Sequence, residues 1–329
     1  MPLFLELVRL KAADDPELAR AALDGLAKYA AAGRSEPRPK RPIAAEISGA
    51  ALRDHGGNGA PVVLVPSLIN PPNILDLDDD ASLAASLAAG GRHVLLLDWG
   101  PAAERAELSI GDHVEQHLVP LLGKLGEPAA LVGYCLGGTM AIAAANRIKV
   151  ERVATLAAPW NFAAYPESPR AALRDLWNGV HAAADAFGRL PMEVLQAAFW
   201  ALDPERTVAK FARFASLDPD SDQARRFVAL EDWANLGEPL PLPAARELIE
   251  DMFGADFPGS GKWVVGGRPM SDAVDVPALH FTAADDRIAP AATVPTGPSQ
   301  AVPSGHVGMI VGGKARETLH TPLVRWLCG

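Results

Sequence analysis

The sequence predicts an α/β protein: a mostly parallel central sheet flanked by helices and broken by a helical insertion. Three observations carry this expectation. Short, wholly apolar runs of strand length alternate with segments of helical spacing between residues 60 and 160. The alternation stops between 160 and 240 and resumes near 277. One glycine-rich turn, Gly133-Tyr134-Cys135-Leu136-Gly137-Gly138, joins an apolar run to a helix of small residues.

Each element has its own signal. Residues 3–33 are Ala- and Leu-rich at helical spacing, with Asp-Asp-Pro-Glu at 14–17 as a helix start. Residues 34–42 form a Pro-rich charged linker. The runs Pro61–Pro66, His93–Asp98, Ala129–Gly133 and Val153–Ala157 read as buried strands. Leu83–Ala89, Ile110–Leu125 and Gly138–Arg147 read as the helices between and after them. Continuous apolar strands separated by helices imply a parallel sheet covered on both faces. Strands return at Pro277–Thr282 and Ser299–Val302, before a last helix over Lys314–Leu327. The expected organisation is an N-terminal helical arm and linker (1–42), a first core part (43–159), a cap or lid insertion (160–240) and a second core part (241–329).

Composition excludes several classes of function. The chain has 329 residues and a net charge of −10, and its Lys and Arg are not gathered into a run. A nucleic acid backbone would be repelled on average. Two cysteines, Cys135 and Cys328, are too few for a disulfide framework, and no C-x-x-C pair suggests zinc. Their scarcity points to a reducing, cytoplasmic compartment. No apolar stretch is long enough to span a membrane, and the N-terminus lacks the features of an export signal.

The chemistry centres on Cys135. A nucleophile on a strand-to-helix turn needs neighbours without bulk two residues before and after it, and Gly133 and Gly137 supply them. The helix start beneath the sulfur favours a thiolate. The alternative is a structural buried cysteine. In such a site an acid follows a late strand and a histidine follows the acid. Asp285 and Asp286 both stand after the Pro277–Thr282 strand, and the Asp-x-Ile-x-Pro spacing favours Asp286. His306 lies between glycines, in Gly305-His306-Val307-Gly308. It would take the thiol proton, with Asp286 holding its tautomer. Oxyanion donors are expected from the backbone N–H of Leu136 and of Leu68 or Ile69.

Other polar groups weigh less. Asp112, His113 and His117 share a helix and read as a solvated face rather than a metal site, so no metal is expected. Asp76, Asp78, Asp79 and Asp80 read as a solvated acidic cluster. The Cys135 turn lacks the Gly-Lys-Ser/Thr of a phosphate loop.

Five segments in order resemble the polyhydroxyalkanoate (PHA) synthases, above all the short type that works with a second subunit. They are Val65–Leu77, Leu97–Gly100, Gly133–Thr139, Asp286–Pro290 and Gly305–Gly308. The resemblance covers roughly 60–329 and implies an α/β-hydrolase fold. It departs at Arg287, where the family usually has His. It implies acyl transfer from a 3-hydroxyacyl-coenzyme A thioester to Cys135, activated by His306 with Asp286, and growth of a polyester. No cofactor is implied beyond the coenzyme A of the substrate. The partners implied are a second copy or second subunit and the surface of a polyester granule. Two other readings stay open: a hydrolase (esterase, thioesterase or depolymerase) on the same triad, and a non-catalytic granule-associated binding protein.

Overall fold

The computed structural model describes residues 2–34, 36 and 38–329. Met1, Ser35 and Pro37 fall in the expected arm and linker and lie outside the described residues. The chain forms two compact units, one of Lys40–Met192 with Glu238–Gly329, the other of Met1–Pro39 with Glu193–Gly237.

The larger unit is built on an eight-stranded sheet. Its strands are β1 (Ile43–Ile47), β2 (Ala50–Asp54), β3 (Pro61–Val65), β4 (His93–Asp98), β5 (Ala130–Tyr134), β6 (Val153–Leu156), β7 (Ala278–Ala283) and β8 (Ser299–Val302). Their spatial order is β1-β2-β4-β3-β5-β6-β7-β8. β2 pairs antiparallel with β1 and with β4, and every other pairing is parallel. All residues of β3, β5 and β6 are buried, as central strands covered on both faces must be. The β1–β2 hairpin has no counterpart in the sequence reading. β1 lies at the sheet edge with no buried residue, and Glu46 interrupts its apolar residues, so it lacks the continuous apolar run that marks the central strands.

Local signals set the helix starts. Ser82 caps Leu83–Ala89 by accepting the Ala85 N–H at 2.8 Å. Ser109 and Asp112 form a reciprocal capping box at Ile110. From there the chain widens into a π-helical segment, His113–Leu118. This segment corrects the expected solvated face, because both His113 and His117 are buried. The acidic cluster is corrected at Asp76 alone, since Asp79 and Asp80 are exposed as expected. Asp76 is buried, accepts the Ser82 hydroxyl at 2.6 Å and lies 3.3 Å from His55 Nδ1.

The smaller unit is helical. Its N-terminal helices, Pro2–Lys11 and Pro16–Ala31, pack with Pro204–Ala215 and Asp222–Asn235. Asp15 caps the second helix by accepting the Leu18 N–H at 3.0 Å, and Pro16 occupies its first turn. The core is aromatic: Phe4 meets Phe211 at 4.5 Å, and Phe214 stacks on Phe227 at 4.2 Å between centroids. Lys28 Nζ donates to the carbonyls of Phe214, Ala215 and Leu217 at the end of Pro204–Ala215, satisfying acceptors the helix leaves free. Packing therefore joins the expected arm to only part of the expected insertion. The helix Glu167–Phe187, inside the 160–240 segment, belongs to the sheet unit, where Trp177 Nε1 donates to Glu250 Oε1 at 2.7 Å.

The sheet positions the turn after β5. Cys135 takes φ 55° and ψ −131°, and the helix Leu136–Ala145 follows at once. The turn is possible because backbone meets backbone around it. A Cβ on Gly133 would stand 2.4 Å from Gly138 Cα, and one on Gly137 would stand 2.1 Å from the Val65 carbonyl oxygen. Gly137→Ala is expected to cost about 3 kcal/mol or prevent folding, since no side chain can yield there. Gly179→Ala, in a helix with nothing within 4 Å of the new Cβ, is expected to be neutral or to stabilise by up to about 1 kcal/mol. Denaturant unfolding of the two variants checks both, and equal costs would contradict the backbone-contact account.

Candidate active site

Three residues separated widely in sequence meet at the C-terminal ends of β5, β7 and β8. Cys135 heads the helix Leu136–Ala145, and its N–H donates to the Leu156 carbonyl at 2.9 Å. Asp286 follows β7 and His306 follows β8. His306 Nδ1 donates to Asp286 Oδ2 at 2.7 Å. The other carboxylate oxygen, Oδ1, accepts the N–H groups of Ile288 and Ala289, each at 2.8 Å. The Asp286 carboxylate is thus held by three donors and is aimed by its own loop. Asp285 is exposed, and its N–H donates to the Ser304 carbonyl at 3.0 Å. Of the two candidate acids, the structure brings Asp286 to the histidine.

With Nδ1 on Asp286, Nε2 is the ring nitrogen left to serve Cys135. The imidazole is buried. Burial disfavours its charged form, but the negative Cys135 and Asp286 outweigh this, and its pKa is pushed up to about 10. The Tyr134 ring lies 5.1 Å from the imidazole, and its hydroxyl donates to the His306 carbonyl at 3.3 Å. Tyr134 stands within the sequence motif, yet nothing in the sequence marks this role.

The expected oxyanion donors lie in the loop after β3 and at the start of the helix. Leu136 is the first residue of that helix, so its N–H has no partner four residues back. Leu68 and Ile69 are both buried. The Ile69 N–H already donates to Ser67 Oγ at 3.3 Å, and the Ile69 carbonyl accepts the Glu238 N–H at 3.2 Å. Among the described residues the Leu68 N–H has no acceptor, so of the two it is the one left free to donate. Trp99 Nε1 donates to the Pro66 carbonyl at 3.1 Å and ties the loop to the end of β4.

No group of three or more His, Cys, Asp or Glu among the described residues is arranged to hold a metal ion. Both nitrogens of His113 are engaged, Nδ1 with the Ser109 carbonyl at 2.6 Å and Nε2 with Arg105 Nη1 at 3.2 Å. Burial, with the neighbouring Arg105, drives its pKa down to about 3. No helix among the described residues is long and apolar enough to cross a membrane.

The raised His306 value makes stability depend on pH. The folded chain binds this proton more tightly than the unfolded chain, whose histidine titrates near 6.5. The stability gained is complete below about 6.5 and is lost as pH rises through about 10. Cys135→Ala removes the largest favourable charge on the ring. Its thermal midpoint is expected to fall less between neutral pH and pH 10 than that of the wild type. Parallel pH curves for the two proteins would exclude the ion pair.

With this geometry in place, the relatives are informative. No family model matches the chain. It is 27% identical over 288 residues to the poly(3-hydroxyalkanoate) polymerase subunit PhaC of Allochromatium vinosum, covering 81% of this chain and 80% of that one. It is 27% identical over 295 residues to the subunit of the same name from Synechocystis sp., covering 81% and 77%. Among solved structures, the monoacylglycerol lipase of Paleococcus ferrophilus aligns with a TM-score of 0.52 at 17% identity, covering 84% of this chain and 98% of that one. A non-heme bromoperoxidase BpoC from Mycobacterium tuberculosis aligns with a TM-score of 0.50 at 18% identity, covering 88% and 98%. At that identity the structures establish the fold alone. The sheet order, the turn at Cys135 and these likenesses together make the chain an α/β-hydrolase-fold protein and a relative of the poly(3-hydroxyalkanoate) polymerase subunits.

Proposed function

We propose that this chain is a polyhydroxyalkanoate-synthase-like acyltransferase, with Cys135 as nucleophile, His306 as general acid and base, and Asp286 as the group that orients His306. The observation that carries this reading is the meeting of His306 with both Cys135 and the fixed Asp286 carboxylate. The likeness to polymerase subunits supports the substrate class, a 3-hydroxyacyl-coenzyme A thioester.

The steps follow from the residues. The Cys135 sulfur bonds to the thioester carbonyl carbon, and the oxygen gains the negative charge. The N–H groups of Leu136 and Leu68 stabilise that oxyanion. The carbon–sulfur bond to coenzyme A breaks, and the leaving thiolate takes the proton from His306. The hydroxyl of a second hydroxyacyl unit then gives its proton to His306. Its oxygen bonds to the acyl carbon, and Cys135 leaves as thiolate. One ester is formed and the pair is reset. A hydrolase differs only in the second half, where water replaces the hydroxyl. The reading carries further proposals. The reaction takes place in the cytoplasm, with no cofactor beyond the coenzyme A of the substrate. A second copy or partner subunit and the polyester granule are its partners.

Incubation with 3-hydroxybutyryl-coenzyme A tests this. Coenzyme A release with insoluble polyester as the acyl product is expected. Free hydroxy acid as the sole acyl product would assign the hydrolase instead, and no release at all would leave only a binding role. Cys135→Ser is expected to keep the fold and lower turnover by about 10³-fold or more, because serine is far less acidic than cysteine. Asp286→Asn is expected to cost on the order of 10³-fold through loss of the correct tautomer.

A further inference from the structure

We propose that Tyr165 is a positioning residue of this site, its hydroxyl fixing the backbone turn that presents the Asp286 carboxylate to His306. The proposal rests on the acyltransfer reading for the reaction it serves, but its geometry does not depend on the substrate.

Tyr165 ends the short helical turn Phe162–Ala164 that follows β6. Its hydroxyl donates to the Ile288 carbonyl at 2.8 Å. The N–H of the same residue, Ile288, donates to Asp286 Oδ1 at 2.8 Å. Ile288 is therefore gripped on one side by Tyr165 and on the other by Asp286. Asp286 passes the constraint on through Oδ2 to His306, at 2.7 Å. The result is one continuous chain of hydrogen bonds from Tyr165 to His306. Loops are mobile unless their backbone groups are tied, and this tie holds the loop carrying the acid.

The anchor itself is rigid. The Tyr165 ring is buried between Phe253, 4.8 Å away, and Phe162, 5.8 Å away, between centroids. The Phe162 N–H donates to Asp256 Oδ1 at 2.7 Å, which pins the base of the turn. Burial, with the negative Cys135 and Asp286 nearby, holds the Tyr165 hydroxyl well above the usual tyrosine range. It stays protonated and stays a donor wherever the Cys135–His306 pair functions. A purely packing role would need the ring alone, so deletion of the hydroxyl separates the two.

Tyr165→Phe makes that deletion. Two readouts need no substrate: the downfield proton resonance of His306 Nδ1–H, and the rate at which iodoacetamide alkylates Cys135 at neutral pH. The expected result is a lost or broadened resonance and alkylation slowed on the order of tenfold, the worth of about one hydrogen bond, with the thermal midpoint close to wild type. A sharp, unmoved resonance together with an unchanged alkylation rate overturns the proposal. Should Tyr165→Phe fail to fold, 3,5-difluorotyrosine placed at position 165 keeps the ring and changes only the donor strength of the hydroxyl that bonds the Ile288 carbonyl. A shifted or broadened His306 resonance then supports the proposal; an unmoved one overturns it. Neither measurement uses an acyl donor, so failure of the wild type to release coenzyme A counts against the acyltransfer reading alone.

Discussion

The left-handed backbone at Cys135 is the constraint from which the site hangs. For a residue with a Cβ this conformation costs about 1–3 kcal/mol. It persists because β5 and the helix after it are buried along nearly their whole length. The Gly138 N–H donates to the Cys135 carbonyl at 2.9 Å, closing the turn. Glycines let the neighbouring chain segments approach to backbone contact, so the bend cannot relax without opening the sheet. The strain at one residue is outweighed by a core that would be lost with it. The sulfur is thereby fixed between a fully buried strand and a buried helix.

Charge completes what the backbone begins. His306 and His113 are both buried histidines in the same unit, yet they end in opposite protonation states. Desolvation disfavours the cation in both. His306 faces two negative groups, Cys135 and Asp286, and keeps its proton up to about pH 10. His113 faces the Arg105 guanidinium, which penalises a second positive charge, and stays neutral down to about pH 3. The residue type is the same, and the sign of its neighbours decides the chemistry. His113 is thus suited to hold structure, accepting from Arg105 and donating to a carbonyl. His306 is suited to move a proton.

Much of this was legible along the chain, and the parts that were not share a cause. The central strands announce themselves by apolar runs, and Leu83–Ala89, His93–Asp98 and Ser299–Val302 form with the expected ends. The turn at Cys135 is readable because its steric requirement falls on residues two positions away, within one motif. Asp286 could be favoured over Asp285 because the loop that cradles its carboxylate, Ile288 and Ala289, is local too. The burial of His113 and Asp76 depends on distant packing, so a polar residue at helical spacing gave no warning. Tyr165 carries no local signal at all, since its partner is 123 positions away. The β1 edge strand lacks the pattern that identified its neighbours.

The helical unit has a consequence for the order of assembly. Its first two helices, Pro2–Lys11 and Pro16–Ala31, pack Phe4 and Tyr29 against Phe211 of Pro204–Ala215. During synthesis those two helices emerge before the sheet, and the surfaces that shelter them emerge only after six of its strands. For that interval their apolar faces stand without a mate, in the condition that invites chaperones or association between nascent chains. The topology thus makes residues 2–31 wait for Pro204–Ala215 before they can be hidden from water.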